Sequence, residues 1–333
     1  MLQRPVAYVA GVGSAAPSGT LTNADLEKTL ETTDAWITDR TGIRNRFIAE
    51  PAESMISYTL KAAHQAMERA GVTPMDLDGI VFATVTPDRR LPSVGCDLQA
   101  ALGAERAWAF DLVAACPGWV YGLAVAEGMM VTGLGDTILV IGAEKLSTIT
   151  DREDRNTAIL FGDGAGAGVL RRCAPDDDRG ILATYLGADG KLADLLYIPG
   201  GGAADPMTEE VLRDKRHLMK MAGREVFKAA VLAMSRSSDE AIRRAGMPPE
   251  SIDLLVPHQA NLRITDSVVK ALALPDSVVI ARDVVDSGNT SAASVPLALT
   301  RLYEQGEISK GDLVLLLGFG AGLTAAGQVV RCP

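Results

Sequence analysis

The property that most limits how this chain can fold is that it repeats itself. Residues 67–81, MERAGVTPMDLDGIV, align without gaps to residues 242–256, IRRAGMPPESIDLLV, at an offset of 175. Arg69/Arg244, Ala70/Ala245, Gly71/Gly246, Pro74/Pro249, Asp78/Asp253 and Val81/Val256 coincide. A second pair, GDTILVIG from Gly135 and GDLVLLLG from Gly311, recurs at an offset of 176. The plainer explanation is that helix–Gly–turn–strand units resemble one another in any chain. Two matches at nearly one offset point instead to two related halves.

Each unit has the same physical reading. A helix (Ile56–Ala70, then Val226–Ala245) stops at a glycine suited to a left-handed cap. A Pro-bearing turn and an Asp then lead into an uninterrupted apolar run, Gly79–Val85 or Leu254–Val256, as in a strand covered on both faces. Thr137–Ile141 and Leu313–Leu317 read likewise, and Val6–Val12 reads as a first strand. Helices alternating with such strands predict a mainly parallel, layered α/β architecture of two pseudo-symmetric halves, residues 1–177 and 178–333. RRCAPDDDRG (171–180) is a polar turn between them, and Pro199–Arg216 reads as an inserted loop.

At 333 residues the chain can bury a large core without disulfides or metal. Its four cysteines form no CxxC pair, so neither a zinc knuckle nor a secreted disulfide framework is expected. With 32 Lys+Arg against 42 Asp+Glu, net −10, broad nucleic-acid binding is excluded, but a local basic patch for an anionic partner is not. No apolar stretch suits a membrane span, and a cytoplasmic protein is the expectation.

Three residues stand where predicted strands run out. Cys116, in FDLVAACPGWV, is followed by Pro117 at a helix start and by a small-residue stripe, Gly118, Gly122 and Ala126. A helix N-terminus favours thiolate, although a lone cysteine reads first as an inert buried residue. His258, in LLVPHQANLR, reads as either a structural or a reactive histidine. Asn289, in DSGNTSAAS, reads alone as a helix cap. The offset changes the weighing, because subtracting it from 289 and 258 gives positions 114 and 83, at matching strand ends of the first half. Cys, His and Asn together suit acyl transfer: a thiolate takes the acyl group while imidazole and carboxamide donate to a developing oxyanion. No Asp is placed to orient His258, which weakens a protease reading.

Gly11–Ala16 matches GxGxxA, but Pro17 interrupts the helix a dinucleotide site needs, so that site is rejected. FGDGAGAG (161–168) and GFGAG (318–322) lack a Walker lysine and read as turns near the reacting centre.

The strings TNADLEKTLETTDAWITDRTGIRNR (22–46), FDLVAACPG (110–118), ILFGDGAGA (159–167), MAGREVFK (221–228), VPHQANLRI (256–264), GNTSAASVP (288–296) and GFGAG (318–322) occur in one order over essentially the whole chain. Together they resemble β-ketoacyl-acyl carrier protein synthase III, a condensing enzyme with a thiolase-like fold, whose halves form αβαβα layers. The resemblance implies Cys116 as the acylated nucleophile, with His258 and Asn289 promoting decarboxylation of a malonyl thioester. It implies an oxyanion hole from the backbone N–H groups of Cys116 and Ala321, where the family usually has glycine at Ala321. It also implies acyl-coenzyme A as substrate, bound by Trp36, Arg40 and Arg155, with no metal and no redox cofactor. Gln259, Ala260, Asn261, Leu262 and Arg263, with Lys228 and Lys270, match the surface that docks acyl carrier protein. A homodimer follows, and Leu91 falls where a bulky aromatic often narrows the acyl pocket across it.

Pro117 and Trp119 depart from the family's usual small residue and phenylalanine. They keep open a starter-unit synthase or acyltransferase of secondary metabolism. A cysteine thioester hydrolase and a non-catalytic carrier-binding module are the readings from other classes. A hydroxymethylglutaryl-type synthase would need a catalytic Glu near the first-half site, for which the sequence offers no clear candidate.

Overall fold

The computed structural model describes residues 4–333. Four helices frame the site: α1 (Met55–Ala70), α2 (Gly118–Val131), α3 (Gly223–Ala245) and α4 (Ser294–Glu304). The repeated glycines end α1 and α3 in left-handed geometry, Gly71 at φ 64° and Gly246 at φ 66°. The repeated aspartates have a matching task. Asp78 accepts from Thr137 N at 3.0 Å and Asp253 from Leu313 N at 2.8 Å, so each fixes the start of the strand that pairs with its own.

Ten strands form two sheets. Those of the first are β1 (Ala7–Ala15), β2 (Gly79–Ala83), β3 (Trp108–Leu112), β4 (Thr137–Glu144) and β5 (Gly164–Arg172). Those of the second are β6 (Gly180–Ala188), β7 (Leu254–Pro257), β8 (Val279–Ile280), β9 (Leu313–Gly320) and β10 (Thr324–Arg331). The first sheet runs β1-β5-β4-β2-β3 and the second β6-β10-β9-β7-β8, so every strand has its counterpart five strands later. The central strands are parallel, β2 with β3 and β4, and β7 with β8 and β9. The other pairings are antiparallel, which corrects the expectation of mainly parallel sheets.

The source of that misreading is β5. GAGAGVLRR reads as a glycine-rich turn, yet it is the interior of a buried strand. Its glycines are there for helix packing, since a Cβ on Gly166 would fall 2.6 Å from Pro296 Cγ and one on Gly168 2.8 Å from Trp119 Cζ2. Gly11 and Gly13 do the same for β1 against α1. Close approach thereby places α2 and α4 between the two sheets, with α1 and α3 outside, giving the αβαβα layers. α2 is apolar nearly all round, as a helix buried between sheets must be. Trp119 is fully buried and donates to Val140 O at 3.1 Å, so this departure from the family pattern fills the core.

Candidate active site

The ends of β2, β4, β7 and β9 and the N-termini of α2 and α4 meet in one place. Ala115 holds a left-handed backbone at φ 51°, turning the chain sharply after β3 and setting Cys116 just ahead of α2. Pro117 is the N-cap and accepts from Tyr121 N at 3.0 Å, one position earlier than the sequence placed it. Cys116 is buried, and Gly320 of β9 lies against it: a Cβ there would fall 2.6 Å from Cys116 N. Ala321 follows Gly320 with no left-handed backbone, so alanine is accommodated where the family usually has glycine.

The segment 288–294, ahead of α4, links all three predicted residues. Asn289 is buried, and its backbone is anchored to the first half by Asn289 N to Leu160 O at 2.9 Å and Gly162 N to Asn289 O at 3.0 Å. Its Oδ1 accepts from Ser291 N at 3.0 Å, which leaves the amide NH2 as the outward-facing donor. Ser291 stands at φ 50°, and its hydroxyl favours the Cys116 thiolate, against the larger effect of burial. Ser294 Oγ lies 2.7 Å from His258 Nδ1 and accepts from Gln259 N at 3.4 Å. The His258 backbone N–H is itself fixed on Leu317 O at 2.7 Å.

Burial sets the protonation states. It pushes the Cys116 thiol up to about 12, with the Glu144 carboxylate adding to the effect, so the free enzyme rests as a thiol despite the helix N-terminus. Burial pushes His258 down to about 3, leaving a neutral imidazole. Burial also raises Glu144, at the end of β4, to about 7. This fully buried carboxylate accepts from Thr84 Oγ1 at 3.1 Å, Val85 N at 3.1 Å, Thr86 Oγ1 and Ser291 Oγ at 3.1 Å. The sequence offered no clear candidate for a glutamate near the first-half site, and Glu144 stands there. The missed signal was an acidic residue closing the apolar run TILVIGAE, the same strand-end position that singled out His258.

At the surface, Arg40 and Arg155 place their guanidinium carbons 4.5 and 4.6 Å from the Trp36 ring centroid, and Arg155 Nη1 donates to Glu31 O at 2.8 Å. The predicted docking segment is less exposed than its sequence suggests. Gln259 is fully buried, donates to Pro257 O at 2.7 Å and accepts from Val284 N at 3.1 Å. It braces the His258 loop and cannot present itself to a partner, which corrects its assignment to docking. Asn261 caps the helix Leu262–Leu272 through Ile264 N at 3.0 Å, Leu262 packs on Gly42, and Ala260 is half-buried. Arg263, Lys228 and Lys270 are exposed. Leu91 is 85% exposed in the protomer.

Residues 110–190 match the family model of 3-oxoacyl-[acyl-carrier-protein] synthase III, and residues 242–332 match that of its C-terminal part. The β-ketoacyl-[acyl-carrier-protein] synthase III of Symbiobacterium thermophilum is 49% identical over 329 residues, covering 98% of each chain. The crystal structure of 3-oxoacyl-[acyl-carrier-protein] synthase III from Aquifex aeolicus superposes with a TM-score of 0.89 at 41% identity, over 98% of this chain and 99% of that one. The priming β-ketosynthase from the R1128 polyketide biosynthetic pathway superposes at 0.91 with 37% identity, over 100% of this chain and 98% of that one.

Proposed function

This chain belongs to the 3-oxoacyl-[acyl-carrier-protein] synthase III family, and on that premise we propose that it joins an acyl-coenzyme A starter to malonyl-acyl carrier protein through an acyl-Cys116 thioester, the opening condensation of fatty-acid synthesis. The observation that carries this reading is the segment 288–294, which bears Asn289, orients His258 through Ser294 and lies against the start of the helix that Cys116 precedes, a Cβ on Gly118 falling 3.3 Å from Ala292 Cβ.

Cys116 Sγ attacks the acyl carbonyl carbon. The oxygen that becomes negative accepts from the N–H groups of Cys116 and Ala321, which are fixed before the reaction and cost nothing to reorient. Coenzyme A leaves, and its adenine end rests on Trp36 with Arg155, while Arg40 meets phosphate. Malonyl-carrier protein then enters. Ser294 already accepts from Gln259 N, so its own proton is available to His258 Nδ1 and Nε2 is left as an N–H donor. That donor and the Asn289 amide bind the malonyl thioester oxygen and stabilise the enolate formed as CO2 departs. The enolate carbon attacks the Cys116 thioester, and β-ketoacyl-carrier protein is released. The scheme uses acyl-coenzyme A as a substrate and needs neither metal nor redox group.

Arg263, Lys228 and Lys270 supply positive charge for an acidic carrier protein. A homodimer fits the first sheet, where β3 is an edge strand followed directly by the 77% exposed Val113. Leu91 would then reach the partner's acyl pocket. No helix among the described residues is long and apolar enough to cross a membrane, and we place the enzyme in the cytoplasm.

Loading with acyl-coenzyme A and then adding malonyl-carrier protein tests this reading. CO2 release with ketoacyl-carrier formation is expected. Discharge of the acyl group to water would favour a hydrolase, and transfer to another acceptor without CO2 would favour the starter-unit acyltransferase.

A further inference from the structure

Glu144 is a fully buried carboxylate with no cationic partner among the described ion pairs, and burial works against its charge. Packing by itself would favour an apolar side chain there, so the reason for a carboxylate lies in what it holds. Three of its donors come from the end of β2 and the loop after it. Thr84 Oγ1 already accepts from Thr86 N at 3.1 Å, and Thr86 Oγ1 from Lys145 N at 2.8 Å, so both hydroxyl protons are left for Glu144 Oε2. Val85 N donates to the same oxygen at 3.1 Å. Oε1, which shares Val85 N at 3.2 Å, faces the other half of the molecule and accepts from Ser291 Oγ at 3.1 Å.

Ser291 stands between this carboxylate and Asn289. Its backbone N–H donates to Asn289 Oδ1 at 3.0 Å, which turns the carboxamide so that the NH2 points outward. The Asn289 main chain is tied to Leu160 and Gly162, so Ser291 supplies what sets the side chain. Ser291 holds φ 50°, a geometry that a serine keeps only when its surroundings impose it. The end of β4 imposes it in two ways. Glu144 holds the Ser291 hydroxyl, and Gly142, on the same face of the strand, lies against Ala292, where a Cβ would fall 2.2 Å from the carbonyl oxygen.

We propose that Glu144 is the positioning residue for Asn289: by holding Ser291 from the other half of the molecule, it fixes the direction of the carboxamide that meets the malonyl thioester oxygen. Glu144 touches no reacting atom in this role and transfers no proton. Loading of Cys116 makes no use of the Asn289 amide, so the two half-reactions depend on Glu144 unequally.

The inference rests on Asn289 binding that oxygen during decarboxylation. Its test measures the half-reactions separately, acyl loading from acetyl-coenzyme A by intact mass and CO2 release from malonyl-carrier protein by the loaded enzyme. Glu144→Ala and Ser291→Gly should each slow CO2 release at least about tenfold more than they slow loading. Ser291→Gly suits the left-handed backbone and keeps Glu144, so it reads the contact even if Glu144→Ala folds poorly. Glu144→Gln should recover most of the loss, because its amide oxygen can take the Thr84, Val85 and Thr86 donors while its NH2 donates to Ser291 Oγ. Added to Asn289→Ala, neither Glu144→Ala nor Ser291→Gly should slow CO2 release further. Wild-type CO2 release in Ser291→Gly, equal losses in both half-reactions, no recovery in Glu144→Gln, or a further loss on top of Asn289→Ala would overturn the assignment. Wild-type CO2 release in Asn289→Ala would instead overturn the reading of Asn289 itself.

Discussion

Ala115 and Ser291 stand 176 residues apart, one in each half, and share a left-handed backbone at φ 51° and 50°. Each lies just ahead of a central helix, α2 or α4, and each bends the chain so that the next atoms enter the site. Non-glycine residues in this geometry carry a strain of about 1–3 kcal/mol, which the surrounding packing must offset. The duplicated fold therefore delivers one bend twice: the first presents the nucleophile and the second a hydroxyl that donates to the buried Glu144.

Substitution at that bend should separate strain from chemistry. Ala115→Gly is expected to shift stability little, because glycine adopts this geometry freely and the loss in unfolded-chain entropy is small. Ala115→Val should cost about 2 kcal/mol or more and slow acylation, since a β-branched residue resists positive φ. Thermal melts and loading rates of the pair check this; equal behaviour of Gly and Val would show that the bend is not strained.

Ser294 fixes the tautomer of His258 through the 2.7 Å contact at Nδ1. Ser294→Ala should lower CO2 release from malonyl-carrier protein by roughly tenfold to a hundredfold while acyl loading is largely kept. A variant losing both half-reactions equally would show that Ser294 supports the whole site.

Glu144 should make stability depend on pH. Its folded pKa is raised from 4.5 to about 7, so its contribution is fully present below about 4.5 and is lost as pH rises through about 7. Glu144→Gln should therefore gain on the wild type between pH 5 and 8, by at most about 3 kcal/mol. Denaturant melts at both values read this directly, and a gap that does not widen with pH would contradict it.

Leu91 leaves more room than the aromatic commonly found at its position. Leu91→Phe should cut kcat/KM for starters of about six carbons at least tenfold relative to acetyl-coenzyme A. An unchanged chain-length profile would remove Leu91 from the acyl pocket.

The fold was legible because duplication left the same punctuation twice: Gly71 and Gly246 as helix caps, Asp78 and Asp253 as strand anchors. The reacting positions showed as polar residues at strand ends. What stayed hidden were groups whose roles depend on neighbours distant in sequence. Ser291 and Ser294 read as part of a small-residue helix start, and Glu144 read as the end of an apolar run. Gln259 looked like surface because its motif is polar, yet its hydrogen bonds lie within the loop it braces. GAGAG looked like a turn, because glycines packed beneath a helix and glycines in a loop have the same composition.

The central claim is that the acyl group passes through Cys116. Peptide mapping of the protein after brief exposure to acyl-coenzyme A tests it most directly. One acyl equivalent on the peptide carrying Cys116, absent from Cys116→Ala and discharged by malonyl-carrier protein with release of CO2, is the predicted result. An adduct on Cys96, Cys173 or Cys332, or an equal yield from Cys116→Ala, would contradict it.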